Sequence, residues 1–140
     1  MAVDQILRNL PAVFAALLVA ILFLQSGLDK VFDWKGNLGW LTGHFAKTLL
    51  APMVPTMLAT ITVMELAAGF LAAAGIIYFL AAGSLVMIFW AAACGAASIT
   101  ALFFGQRMAK DYPGAAVLIP YFILLLILMF LTNPYVRLTA

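Results

Sequence analysis

Between Met53 and Phe104 the only charged side chain is Glu65. The run is too long for one membrane span and suits two, since a span needs ~20 residues. Glu65 then lies about ten residues into the second span, ~15 Å deep at 1.5 Å per residue. A carboxylate there costs several kcal/mol unless it is paired or protonated. Two kinds of chemistry fit. Glu65 handles a proton or substrate, alone or as part of a quinone site, or it is half of a buried ion pair that sets helix register. Lys30, near the end of the first apolar run, is the basic residue with a path to it, because spans one and two are antiparallel neighbours through one loop. Gln25 is polar and close to Lys30, and is expected inside the bundle, where such side chains bond to another helix. Asp29 is expected to face headgroups or water while Lys30 turns inward.

Other candidates are few. His44 is the single histidine, so bis-histidine haem ligation within the chain is excluded, and it reads as a surface residue. Cys94 is the single cysteine, which excludes an intrachain disulfide, a CxxC pair and a cysteine metal cluster. It reads as a small, inert, buried side chain. No catalytic constellation, metal site or intrinsic cofactor site emerges. Gly69 shares a face with Glu65, Gly75 follows, and Ala91–Ser98 is an unbroken run of small residues that includes Gly95. Such residues let helix backbones approach closely. They read as packing surface more than as a ligand crevice.

The elements that position these residues follow from composition. The 140-residue chain is 67% hydrophobic and 9% charged, with net charge +2 and mean hydropathy +1.18. Soluble domains carry about 25% charged residues. This is an integral membrane protein with one all-α domain, its surface facing the lipid bilayer. No basic cluster is interleaved with aromatics, so nucleic-acid binding has no support. Arg8 followed by Leu10–Leu24 mimics a signal peptide, yet no small-x-small cleavage motif precedes Gln25, so the segment is expected to remain as the first span.

Four transmembrane helices in a bundle are expected, over about 10–28, 55–75, 83–104 and 114–132. The first could continue to Phe32. Gly75 and Gly83 are expected to bracket a short turn between spans two and three, with Tyr78 at headgroup level. Pro120 is expected to kink span four. In the first loop Trp34, Leu38, Leu41, Phe45 and Leu49 recur at steps of three and four, with Trp40, His44 and Lys47 mostly opposite. That pattern predicts an interfacial amphipathic helix over about 37–50. Basic residues lean toward cytoplasmic loops one and three by a small margin, counting Arg8 and Arg137 at the termini.

Two strings carry a resemblance. Leu22–Lys30 (LFLQSGLDK) ends the first span with a glycine followed three residues later by lysine. Glu65–Gly69 (ELAAG), then Gly75, marks the second. In this order and at these depths they resemble the DoxX/DoxD-like family of small four-helix bacterial membrane proteins. One departure is the absence of a basic residue just after span two. The resemblance implies a bacterial inner-membrane protein found beside larger membrane partners, some members being subunits of a quinone-linked oxidoreductase. The function expected is a small accessory or anchoring subunit of a redox-linked membrane complex. The alternatives are a quinone-reactive subunit and a small proton-coupled exporter. Quinone is the one cofactor in view, and any partners are other membrane subunits.

Overall fold

The structure, a computed structural model, describes residues 2–135, and Arg137 lies outside them. Among the described residues the chain is helical and has no strand. A short α1 (Val3–Arg8) leads into α2 (Leu10–Phe32), followed by α3 (Trp34–His44), a 3₁₀ turn (Ala51–Met53), α4 (Val54–Ala82), α5 (Val86–Met108), α6 (Tyr112–Ala116) and α7 (Ile119–Thr132). Four helical stretches are long and apolar enough to cross a membrane: Leu10–Phe32, Ala51–Ala82, Val86–Met108 and Tyr112–Thr132. Helices prevail because hydrocarbon offers backbone amides no other partners. The protein is therefore a multi-pass, all-α membrane bundle, as expected.

Prolines mark where helices start. Pro11, Pro55, Pro113 and Pro120 each sit in a first turn, where a missing N–H removes no intrahelical bond. Pro120 does more than kink span four. Residues 117–118 interrupt the helix, dividing the span into α6 and α7.

The turn expected over 76–82 is not there. Helix α4 runs on to Ala82, and the turn is Gly83–Leu85. Gly83 has φ +75°, a left-handed helix stop that glycine adopts without strain, and its N–H donates to Phe79 O at 2.8 Å. Gly75 does not end the helix because its bareness serves packing. A Cβ there would lie 2.9 Å from the Ile88 backbone nitrogen. At 29 residues α4 is about 43 Å long, more than the ~30 Å hydrocarbon layer.

The main core lies between α2, α4, α5 and α7, with Phe23, Phe79, Ile88, Leu125 and Leu128 fully buried. Helix α2 packs chiefly on α4, α4 on α5, and α5 on α7. The α2–α4 seam is built from two reciprocal glycine–leucine contacts. A Cβ on Gly69 would meet Leu24 Cγ and N at 2.8 Å, and one on Gly27 would meet Leu66 Cδ2 at 2.7 Å. Gly95 of α5 receives Phe23 and Leu125 in the same way. The packing expected of Gly69, Gly75 and Gly95 is present at all three.

A smaller core of Phe45, Leu50 and Val54, flanked by Leu38, Leu41, Met57 and Met108, joins the first loop to the ends of α4 and α5. The loop helix is shorter than expected, ending at His44 rather than near residue 50. Turns follow, fastened by Thr48 Oγ1 donating to Phe45 O. This break in periodicity places Leu50 inside and leaves Leu49 85% exposed, contrary to the helical reading. Trp34, Leu38 and Leu41 do turn inward, each partly covered.

Candidate functional site

Asp33 ends α2 and caps α3, its carboxylate accepting from Gly36 N at 3.3 Å. The stop leaves Lys30 in the last turn of α2, facing α4. Its Nζ donates to Glu65 Oε2 at 3.1 Å, to Ser26 Oγ at 2.9 Å and to Ser26 O at 3.3 Å. Glu65 is 1% exposed. The expected Lys30–Glu65 pair is a direct contact. Its ammonium has three acceptors, the full donor capacity of lysine.

Gln25 is not part of this group. It is exposed, on the outer side of α2. At about 100° per residue, Gln25 points ~140° away from Lys30 while Ser26 points only ~40° away, so Ser26 takes the inward place. That spacing is readable from the sequence. Asp29 is exposed, as expected.

The level of Glu65 is held rigidly. Gly27 with Leu66 and Gly69 with Leu24 bring α2 and α4 together in the turn that follows it. Buried Thr62, three residues earlier on α4, donates to Leu58 O at 2.6 Å. From α5, Cys94 Sγ donates to Met64 O at 3.4 Å. Cys94 is partly rather than fully buried, so the small residue run also cross-links α5 to α4 beside the carboxylate.

Lys30 also faces a cleft. The cleft has a volume of ≈ 240 Å³ and lies between the ends of α2, α4 and α5 under α3. Most of its wall is apolar, including Leu41, Phe45, Met57, Leu58 and Ile61, with Trp40 at the rim. The polar groups on it are Lys30, Asn37 and Gln106. An apolar cavity with a few convergent polar groups is the usual form of a small-molecule site.

His44 stands behind this wall, and it is not the outward-facing surface residue the sequence suggested. Its ring stacks on Trp40 at 4.5 Å and meets Phe45 edge-on at 5.1 Å. His44 Nε2 lies 2.8 Å from Gln106 Oε1 and 3.7 Å from Asp111 Oδ2. Gln106 Oε1 can only accept, so Nε2 is the donor in this contact. The Gln106 amide nitrogen then has no partner among the described residues, and Gln106 lines the cleft. Thus one histidine fixes three wall residues. Sequence reading missed Ser26, Asn37, Trp40 and Gln106 as site residues; Gln106 is tied in only by its contact with His44, 62 positions away.

No cluster of metal-ligating side chains is present among the described residues. The arrangement can donate hydrogen bonds to a carbonyl or anionic head from Lys30 and Gln106 and seat an apolar body, with Glu65 behind Lys30 holding its ammonium. No family model matches this chain, and neither a curated protein nor a solved structure shows significant similarity to it.

Proposed function

We propose that this chain is a small subunit of a redox-linked membrane complex, in a bacterial inner membrane, and that its Lys30 cleft binds the carbonyl head of a lipid-soluble ligand of the quinone class. One observation carries the reading. The ammonium that neutralises an intramembrane carboxylate also lines an apolar cleft. A pair that served only to set helix register needs no such opening. This moves the quinone-reactive reading ahead of plain anchoring. The resemblance of the LFLQSGLDK and ELAAG strings to DoxX/DoxD-like proteins points the same way.

In this reading Lys30 and Gln106 donate to ligand oxygens, with Lys30 exchanging its 3.3 Å bond to Ser26 O for the ligand. Trp40 and Phe45 cover the ring. Reduction of a quinone takes two electrons and two protons. A bound quinone would supply that chemistry with electrons from a partner subunit, while Lys30 and Gln106 would hold its oxygens and Glu65 would keep the Lys30 ammonium in place.

The test is purification in mild detergent, followed by mass spectrometry of extracted lipids and of co-purifying proteins. The expected result is a quinone retained by wild type and lost from Glu65→Gln and Gln106→Leu. Wild type carrying partner proteins but no quinone would overturn the cleft's role and leave a plain anchoring subunit.

A further inference from the structure

A second cleft lies on the outer side of His44, and nothing in the quinone reading uses it. It has a volume of ≈ 530 Å³ and is lined by residues 43, 44 and 46–49 of the first loop and 108–110 of the third. Two lysines line it, Lys47 from the first loop and Lys110 from the third, together with His44. Neither lysine has an acidic partner among the described residues, where the ion pairs are Lys30–Glu65 and His44–Asp111. The other charged groups nearby have partners of their own. Asp111 caps α6 through Gly114 N and faces His44, and Arg107 stacks on Tyr112.

The backbone adds an independent sign. Helix α5 ends with Lys110 at φ +59°, the one non-glycine residue with positive φ among those described. Lys110 N bonds to Arg107 O and Asp111 N to Gln106 O, a helix stop that glycine normally occupies. The left-handed residue places Lys110 at the point where the chain leaves α5 beside the cleft. On the same rim Leu49 is nearly bare.

We infer that this cleft binds the phosphate of an anionic phospholipid headgroup, with Lys47 and Lys110 as its two cations and Leu49 set among the acyl chains. The site lies where the four spans end in the first and third loops, which is headgroup level, and basic residues there attract anionic lipid. The apolar Leu49 beside the cations suits a lipid better than free phosphate.

The test measures phosphatidylglycerol retained by the full chain, by native mass spectrometry, against phosphatidylcholine and excess inorganic phosphate. Lys47→Gln with Lys110→Asn is the test variant, asparagine tolerating the left-handed backbone. Lys35→Gln, an exposed lysine of α3 outside the cleft, is the control for general positive charge. Wild type and Lys35→Gln are expected to retain phosphatidylglycerol over phosphatidylcholine, undisturbed by phosphate, while the double variant loses about thirtyfold. Equal loss in Lys35→Gln would reduce the cleft to bulk charge and overturn the site. So would an unaffected double variant. Displacement by inorganic phosphate would overturn the lipid and assign the cleft to a soluble phosphate species.

Discussion

The two ends of the bundle are built on opposite principles. At the Gly83–Leu85 end a three-residue turn closes α4 onto α5, Phe79 is fully buried, and Gln5 Nε2 bonds to Gly83 O at 3.1 Å. Among the described residues from Gly69 to Phe104 no side chain is charged. At the other end two longer loops roof the helices, and Lys30, Glu65, His44, Gln106 and Asp111 lie within a few contacts of one another. That end has both clefts and the strained Lys110. One end is sealed by apolar packing. The other spends stability on buried polarity, which is the pattern of a site placed on a scaffold.

If this contrast is right, mutations at the polar end act through lost partners and those at the sealed end through lost space. The largest effect is expected from Lys30→Met, which strands a buried carboxylate and should cost about 3–5 kcal/mol. Adding Glu65→Leu to it should recover most of that loss, because the pair is replaced by apolar groups. Unfolding in detergent monitored by circular dichroism checks both, and a double variant as unstable as the single would contradict the pairing. Gly69→Ala comes next. Its methyl meets the Leu24 backbone, so α2 and α4 must separate, at about 1–3 kcal/mol. At the sealed end Gly83→Ala should cost about 1–2 kcal/mol, chiefly through its left-handed backbone, and leave ligand binding intact. His44→Ala should change stability by roughly 1 kcal/mol, the value of one hydrogen bond, yet weaken ligand binding strongly by freeing Trp40 and Gln106. Gln25→Ala, exposed and without a side-chain partner among the described residues, should stay within about 0.5 kcal/mol of wild type.

The sequence made one side of this contrast legible. Glu65 stood out because a charge in hydrocarbon is costly wherever its neighbours lie. Lys30 followed from chain connectivity, and the glycines from the need for close helix approach. The four spans followed from length and hydropathy. What stayed hidden depended on geometry across loops. The turn falls after Ala82 and not over 76–82, because a glycine that admits a neighbouring helix looks the same in sequence as one that ends its own. The loop helix was drawn too long because Leu49 continues the three-four spacing, while Thr48 turns the chain and puts Leu50 inside. His44 and Gln106 are 62 positions apart, and no local pattern joins them. Ser26 alone was within reach, four residues before Lys30 on the same face.

The central claim is that the Lys30 cleft holds a quinone-class head beneath Trp40. Quinones quench indole fluorescence at close range, so the direct measurement uses Trp34→Phe with Trp90→Phe, leaving Trp40 as the single reporter. Titration with a short-chain quinone in detergent should quench Trp40 to a saturating plateau. Adding Gln106→Leu should weaken that binding about tenfold, consistent with the loss of one well-placed hydrogen bond. Quenching that rises linearly without saturation, or that is unchanged by Gln106→Leu, would contradict the account.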